Sequence, residues 1–392
     1  MQFELLHTPR IIFGSDTLKN IGQLARDFGS RLLVVASESV LKKRKVQELL
    51  DDALSNQNIE YTHFIIKGEP ETKLIDQGVT EGKNFNADMV VGIGGGSVID
   101  AGKAIAGLIT NGGFARDYME VIGKGSQITR PALPYIAAPT TAGTGSEVTK
   151  NAVISAKDAG LKASIRSPLL VPTIAIIDIS LMLSVPSDVT ARTGLDALSQ
   201  LIEAYTSKNS QPITDSLALL GVKKASHSLL RAYKNGGDIE AREDMAMAAL
   251  LSGICLANAG LGAIHGFASP IGGLFSVPHG TVCAALLVPT IQYNIEELKE
   301  KNPDHPVLAK YAKLGAICFG QTFSSSNEAQ LALIEYLRGL VQSLKIPKLS
   351  KFGLKNSDIS GIISKAKKAS SMKYNPIELK DYTLYKILDQ VL

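Results

Sequence analysis

Short apolar runs alternate with amphipathic stretches through the first half of the chain. One run, within DMVVGIGGGS, ends abruptly in glycines, and the others lie at residues 31–36, 61–66, 133–138 and 173–178. The stretches between the first runs, up to about residue 55 and over residues 72–86, have helical spacing. This alternation predicts an open, mostly parallel α/β sheet with helices on both faces.

The pattern changes near residue 185. From about residue 190 to the end, apolar residues recur with a period of 3.6 and few β-branched residues alternate with polar ones. We therefore predict an α/β domain over residues 1–185 and an all-helical domain over residues 186–392. Pro186, Ser187 and Asp188 are suited to end one element and cap the next.

Composition narrows the class of protein. A chain of 392 residues with 45% hydrophobic residues can form two packed domains. A net charge of +4, from 41 basic and 37 acidic residues, does not indicate nucleic acid as a partner. The basic run at residues 42–45 is most simply a solvated helix face.

Cysteine usage and hydropathy indicate a cytoplasmic protein without a membrane segment. Cys255, Cys283 and Cys318 form no close pair, so neither a disulfide framework nor a thiolate zinc site is indicated. The first ten residues lack the pattern of a signal peptide. The most apolar long stretch, residues 169–185, contains Pro172 and Asp178, which a membrane span rarely carries.

A glycine-rich loop at residues 92–106, GIGGGSVIDAGKAIA, follows a predicted strand and opens a predicted helix. Backbone N–H groups at such a helix start bind phosphate, and Gly94, Gly95 and Gly96 allow a dinucleotide pyrophosphate to approach closely. Ser97 and Asp100 can bind there, or can form a capping box. The loop matches neither the nucleotide triphosphatase signature nor the usual G-x-G-x-x-G fingerprint.

A second loop, PTTAGTGSEVT at residues 139–149, also places glycines and hydroxyl residues after an apolar run. Two such loops at strand ends favour a bound polyphosphate cofactor over a purely structural role. We therefore predict that residues 1–185 bind a dinucleotide.

Four residues of the second half suggest a metal site. Asp196 and Gln200 share one helical face, and His265 and His279 lie in a glycine-rich stretch. Imidazoles and a carboxylate are ligands that zinc and iron accept. The amide oxygen of Gln200 is a weaker, uncharged donor.

Six segments, taken in order, carry a family resemblance: FELLHTPRIIFG, GGGSVIDAGKAIA, PTTAGTGSEV, LVPTIAIIDISLMLSVP, GLDALSQLIEAY and IHGFASPIGGLFSVPHG. Through them the chain resembles the iron-containing (group III) alcohol dehydrogenase family over nearly its whole length. The resemblance implies an architecture like that of dehydroquinate synthase, with an N-terminal dinucleotide-binding domain and an all-helical C-terminal domain. It also implies a dimer or larger homo-oligomer that uses NAD(P) to oxidise small alcohols or reduce aldehydes and ketones between the domains.

The resemblance also implies roles for individual residues. It places the pyrophosphate on residues 94–97 and the rest of the cofactor against Thr140, Thr141, Thr144, Asn151 and Lys162. It makes Asp196, His265 and His279 both catalytic residues and ligands of Fe²⁺ or Zn²⁺. Gln200 occupies the position of the fourth ligand, usually a histidine, and Ser269 replaces a histidine found near the substrate in many members.

Ser37 is a further departure from the family pattern. Many NAD-using members have an aspartate there that binds the adenosine ribose. Two unit charges about 4 Å apart interact by roughly 4 kcal/mol at an effective dielectric constant near 20, so a serine should tolerate a 2′-phosphate. We therefore expect NADPH to be accepted, with Lys42, Lys43 or Arg44 adding attraction.

Gln200 leaves two forms of the enzyme open. Its amide oxygen can complete a weaker metal site. Alternatively, the enzyme works without metal, as maleylacetate reductases suggest, and His265 or His279 donates a hydrogen bond to the substrate oxygen.

Two other classes of protein are less well supported. A lyase resembling dehydroquinate synthase would need basic residues for a phosphorylated substrate, which the C-terminal site segments lack. Retention of Asp196 and both histidines argues against a non-catalytic binding protein.

Overall fold

A six-stranded parallel sheet organises the first half of the protein. The computed structural model describes residues 2–392. The strands of the sheet are β1 (Arg10–Gly14), β2 (Arg31–Ser37), β3 (Glu60–Ile66), β4 (Met89–Gly94), β5 (Tyr135–Pro139) and β8 (Ile174–Asp178), and β6 (Asn151–Ala156) and β7 (Leu161–Arg166) form a separate pair. The six strands of the sheet lie in the order β1-β8-β5-β4-β2-β3. Every residue of the central strand β4 is buried, as expected for a sheet covered on both faces.

Helices cover both faces of the sheet. Leu33 and Val35 of β2 face one apolar cluster, and Leu32 and Val34 face the other, so the strand shows the two-residue period of a sheet buried on both sides. The helices of this half are α1 (Ile21–Ala25), α2 (Glu38–Leu41), α3 (Arg44–Ser55), α4 (Thr72–Asn84), α5 (Gly96–Asn111), α6 (Ala115–Tyr118) and α7 (Ile179–Met182).

Three strands of this half were absent from the sequence prediction. The strand β1 pairs with β8 at one edge of the sheet, and the antiparallel pair β6 and β7 joins Asn151 to Arg166 and Ala156 to Leu161. The hairpin follows the second glycine-rich loop. Its alternation is short, which explains why periodicity alone did not identify it.

The second half is helical and packs around one large apolar cluster. Its helices are α8 (Ser187–Thr206), α9 (Pro212–Lys234), α10 (Ile239–Ala259), α11 (Ala263–Leu274), α12 (His279–Lys301), α13 (Pro306–Phe319), α14 (Ser326–Ser343), α15 (Ile359–Ala366) and α16 (Asp381–Asp389). A parallel α/β sheet followed by a helical part confirms the predicted fold class. The predicted cap at the start of α8 is not formed, because Pro186 precedes the helix and no side chain caps it.

Residue contacts divide the chain into two compact units. The α/β unit contains Leu6–Thr141 and Gly145–Ser184, and the helical unit contains Ala142–Thr144, Val185–Leu392 and residues 2–5. Within residues 2–392, no single helix is long and apolar enough to span a membrane; α10 and α11 meet that criterion only as a pair bent by 100°.

Candidate active site

The predicted cofactor residues of the α/β unit gather at the carboxyl ends of three adjacent strands. Ser37 ends β2, Gly94 ends β4, and Thr140 follows β5 and donates its backbone N–H to the carbonyl of Gly94 at 2.8 Å. Strands β2 and β4 are neighbours, but β2 leads outward to β3 and β4 leads the other way to β5. This reversal of strand order marks the crevice where open parallel sheets bind ligands.

The glycine loop turns directly from β4 into α5. Gly95 precedes the helix and Gly96 begins it. A β-carbon on Gly94 would approach the side chain of Val98 to 2.6 Å, so packing requires that glycine. A β-carbon on Gly95 would meet nothing closer than the Thr141 hydroxyl at 3.5 Å, so packing does not require it. The bare backbone at Gly95 therefore suits the approach of a ligand to the N-terminus of α5.

The predicted capping box of Ser97 and Asp100 is wrong. Helix α5 begins one residue before Ser97, and no side chain caps it. The carboxylate of Asp100 instead accepts hydrogen bonds from the Ser146 hydroxyl and, at 3.1 Å, from the backbone N–H of Val153. Asp100 therefore ties α5 to the second glycine-rich loop and to β6.

A buried ionic cluster, which the sequence analysis did not single out, lies beside Asp100. The ammonium of Lys103 donates to the carbonyls of Ser146 and Asn151 at 2.7 and 2.6 Å and to the Thr149 hydroxyl at 3.1 Å. Burial lowers the pKa of Lys103 to about 8 and raises the pKa of Glu147 to about 7. The cluster holds the loop that follows β5 against α5.

The remaining predicted cofactor residues are placed differently. Asn151 begins β6, and its backbone carbonyl is the one that Lys103 binds. Lys162 lies on β7 with its ammonium 3.2 Å from a carboxylate oxygen of Glu69. Thr144 belongs to the helical unit.

Three helices of the helical unit bring the predicted metal ligands together. Asp196 lies on the buried face of α8, His265 lies in the first turn of α11, and His279 is the first residue of α12. The Nε2 atoms of His265 and His279 lie 3.3 and 3.7 Å from Oδ1 of Asp196. These three predicted ligands therefore surround one point.

A fourth donor, Cys283, lies in the same group. It is buried one turn after His279 on α12, and its Sγ atom lies 3.6 Å from Nε2 of His265 and 3.5 Å from Nε2 of His279. One donor atom from each of Asp196, His265, His279 and Cys283 lies within 4.8 Å of all the others. The cysteine spacing did not indicate a thiolate site, but a separation of four residues from a histidine on one helix was a usable signal.

The charges of this cluster favour a bound cation. Burial opposes charge on His265 and His279, yet the thiol of Cys283 and the nearby carboxylates raise the pKa of His265 well above its usual value and that of His279 to about 9. Burial likewise opposes charge on Asp196, but the two imidazoles lower the pKa of its carboxyl. A divalent cation can replace the protons that the imidazoles would otherwise hold.

Glu203 holds His265 in place, and sequence reasoning missed it. One of its carboxylate oxygens lies 2.6 Å from Nδ1 of His265, and the other accepts the backbone N–H of Ile264 at 2.7 Å. Glu203 is 3% exposed. A carboxylate that accepts the Nδ1 proton leaves the Nε2 lone pair directed at the other donors, as in carboxylate–histidine–zinc sites.

Gln200 and Ser269 lie on two of the same helices. Gln200 follows Asp196 by one turn on α8, is 2% exposed, and accepts a hydrogen bond from the Ser252 hydroxyl of α10 at 2.7 Å. Ser269 follows His265 by one turn on α11 and is partly buried.

The donor set fits a divalent metal ion. A carboxylate, two imidazoles and a sulfur atom are all ligands of zinc, and iron accepts the same nitrogen and oxygen donors. The residues converge within the distances that one ion requires, and Glu203 orients one imidazole. Three of the four donors are buried and His279 is partly exposed, so this donor set differs from a surface group of acidic residues.

Both halves of this chain match the same enzyme family. Residues 8–179 match the iron-containing alcohol dehydrogenase family, and residues 190–392 match the C-terminal part of the Fe-containing alcohol dehydrogenase family. Together the matches cover most of both units.

Individual relatives are similar over most of their length. Alcohol dehydrogenase 4 of Saccharomyces cerevisiae is 38% identical over 335 residues, which cover 85% of this chain and 83% of the yeast protein. The NAD-dependent methanol dehydrogenase of Bacillus methanolicus is 34% identical over 284 residues, covering 72% and 73%. The crystal structure of a 1,3-propanediol oxidoreductase superposes with a TM-score of 0.91 at 30% identity and covers 100% of both chains.

Proposed function

Because the chain belongs to the iron-containing alcohol dehydrogenase family, we propose that it transfers a hydride between NAD(P) and the oxygen-bearing carbon of a small alcohol or carbonyl compound. The family resemblance inferred from the sequence motifs is confirmed, as is the class of enzyme, an oxidoreductase acting on CH–OH groups. The observation that carries the proposal is the convergence of Asp196, His265 and His279 in the helical unit.

The α/β unit would hold the dinucleotide. The N-terminus of α5 and the open backbone at Gly95 are suited to the pyrophosphate. Ser37 stands at the end of β2, where an aspartate would repel a 2′-phosphate, so we expect NADPH to be used at least as readily as NADH. A strong preference for NADH in parallel kinetic measurements would contradict this expectation.

The helical unit would hold the metal and the substrate oxygen. A bound divalent cation supplies a Lewis acid for that oxygen. Asp196 contributes a negative charge from a nearly fully buried position, and Glu203 keeps His265 in the tautomer that presents Nε2. In alcohol oxidation, the hydride passes from the substrate carbon to C4 of the nicotinamide, and the hydroxyl proton is released to solvent. Carbonyl reduction reverses both transfers.

The test is turnover of a panel of aldehydes and alcohols, followed by the absorbance of NADPH and NADH. Metal-loaded enzyme should be active, and activity should be lost on metal removal and regained on readdition. Full activity in a sample shown to contain no metal would favour the metal-independent mechanism of maleylacetate reductases. Absence of turnover with every carbonyl, despite NADPH binding, would contradict the oxidoreductase.

Matched histidine variants identify the site. We expect His279→Asn to lose most of the activity, because one of the convergent donors is removed. His227→Asn is the control, since His227 is exposed on α9 and its ring lies within hydrogen-bonding distance of the Lys223 carbonyl and the Ser226 hydroxyl. Equal activity of both variants would contradict the assignment of the site.

A further inference from the structure

We infer that Cys283 is the fourth metal ligand of this enzyme, in the place of the missing histidine at position 200, and that the site is thereby suited to zinc. The inference rests on the proposed function, because it concerns the metal of that same site. It assigns to the metal a residue that the sequence motifs had not connected with it.

The distances around Cys283 match those of one shared ion. With Zn–S near 2.3 Å and Zn–N near 2.05 Å, tetrahedral coordination separates a sulfur and a nitrogen ligand by about 3.5 Å. The Sγ atom of Cys283 lies 3.6 and 3.5 Å from Nε2 of His265 and His279. The same calculation gives about 3.4 Å for a nitrogen and an oxygen ligand, and the distances from Asp196 Oδ1 to these nitrogens are 3.3 and 3.7 Å.

The position of Cys283 supports the same conclusion. His279 and Cys283 are separated by four residues on α12, so their side chains leave the helix on one face. Cys283 is fully buried. A buried cysteine that binds no metal usually packs as a small apolar side chain. Here its sulfur faces two imidazoles, and apolar packing alone does not require that arrangement.

Gln200 is the weaker candidate for the fourth ligand. Its amide oxygen already accepts the hydroxyl hydrogen of Ser252, which ties α8 to α10. The amide carries no charge, whereas a thiolate adds a negative charge to that of Asp196 and together they balance a divalent cation. A soft thiolate also favours zinc over iron(II), which the harder donors do not distinguish as strongly.

Cobalt(II) reports directly on sulfur ligation. Metal-free protein loaded with Co²⁺ should show an intense near-ultraviolet thiolate-to-cobalt charge-transfer band in addition to the weaker visible bands of the ion. We expect Cys283→Ser to abolish the charge-transfer band and to lower zinc affinity by more than about tenfold, since changes to residues that only support ligands already cost 10- to 100-fold.

The other two cysteines are matched controls. Cys255 and Cys318 are buried in α10 and α13 and are absent from the group of donors. Cys255→Ser and Cys318→Ser should therefore keep the band, and so should Gln200→Leu. Cobalt binding without a charge-transfer band in the unaltered protein, together with loss of the visible bands in Gln200→Leu, would overturn the inference in favour of the amide.

A measurement on the unaltered protein avoids dependence on variants that fold poorly. X-ray absorption of the zinc-loaded enzyme should require one sulfur neighbour at about 2.3 Å. A fit that needs only nitrogen and oxygen neighbours would overturn the inference, and would mean that the thiol is merely hydrogen-bonded to the imidazoles.

The ligand role of Cys283 and the proposed oxidoreductase function can be contradicted independently of each other. Turnover of a carbonyl by a zinc or cobalt enzyme without sulfur ligation would overturn the role of Cys283 and leave the proposed function intact. Sulfur ligation in a protein that turns over no alcohol or carbonyl would uphold the ligand assignment and contradict the function.

Discussion

At the scale of single residues, Glu203 determines how His265 is presented. Its carboxylate lies against Nδ1 of His265 and also accepts the backbone N–H of Ile264, so the ring and the start of α11 are held together. Glutamine in its place has the same shape but no charge. Its amide NH₂ group would also face either the backbone N–H of Ile264 or the Nδ1 proton of His265, which are themselves donors. We expect Glu203→Gln to lower zinc affinity by about 10- to 100-fold, measured by competition with a chromophoric chelator.

Glu243→Gln is the control for that measurement. Glu243 is exposed on α10 in the same unit, so its charge change should leave zinc affinity unaltered. Equal zinc affinity in both variants would show that Glu203 does not support the metal ligand.

Ser37 determines the expected choice of cofactor. Its hydroxyl lies at the end of β2, 3.1 Å from the hydroxyl of Ser39. We expect Ser37→Asp to lower the ratio of kcat/KM for NADPH to that for NADH by at least about tenfold, or 1.4 kcal/mol, because the new carboxylate repels a 2′-phosphate. Ser55→Asp, at the exposed end of α3, should leave the ratio unchanged. An unchanged ratio in Ser37→Asp would place the 2′-phosphate elsewhere.

Glu147 should make stability depend on pH. Burial raises its pKa from 4.5 to about 7, so between these values the folded protein binds more protons than the unfolded chain. The free energy of unfolding should therefore fall as pH rises from about 4.5 to 7, by about 3 kcal/mol from this residue alone. Lys103 acts in the opposite sense at higher pH, because its lowered pKa of about 8 makes stability rise between about 8 and 10.5.

Urea unfolding of the wild type and Glu147→Gln at several pH values checks this expectation. The variant should lose most of the decline between pH 4.5 and 7, whereas Glu81→Gln, at an exposed position of α4, should keep it. Parallel curves for the wild type and Glu147→Gln would contradict the raised pKa.

At the scale of elements, close packing of α5 on the sheet depends on glycine. A β-carbon on Gly102 would approach the Tyr135 hydroxyl oxygen to 2.7 Å, and this hydroxyl donates to the carbonyl of Ile99 at 2.9 Å. We expect Gly102→Ala to destabilise the protein by about 1–3 kcal/mol in urea unfolding, because the tyrosine of β5 is itself fully enclosed.

Gly339→Ala is the matched control, also in the interior of a helix. Position 339 of α14 has open space around the missing β-carbon. The substitution should stabilise the protein by roughly 0.5–1 kcal/mol, because alanine loses less conformational freedom than glycine on folding. An equal change in the free energy of unfolding at both positions would show that contact with Tyr135 does not exclude a β-carbon at position 102.

At the scale of the whole molecule, the two proposed ligands should stabilise different units. Every donor of the proposed metal site comes from α8, α11 and α12, and the glycine loop belongs to the α/β unit. At 100 times its Kd each ligand adds about 2.7 kcal/mol to the state that binds it. We expect zinc to slow hydrogen exchange mainly in those three helices, and NADPH to slow it mainly where β4 meets α5.

Hydrogen exchange followed by mass spectrometry makes this comparison. In His279→Asn, zinc should no longer protect the three helices, while NADPH should still protect the glycine loop. Protection by zinc confined to the α/β unit would contradict the metal site.

Much of the architecture followed from local pattern. The apolar runs that became β2, β4, β5 and β8 are each a few residues long and buried on both faces, so their composition alone identified them. The glycine loop was recognisable because the same short segment both ends a strand and starts a helix. Local patterns missed β1 and the hairpin of β6 and β7, where few residues alternate.

The sequence by itself determined the fold class and the family and predicted three metal ligands, because periodicity and motifs can be read from the order of residues alone. Only the tertiary structure decided that Cys283 and Glu203 lie beside those three residues, since His265 lies 69 residues from Asp196 and 18 from Cys283 along the chain. The packing of α8, α11 and α12 brings these residues together in space. Packing thus decides which thiol faces the imidazoles and which carboxylate supports them.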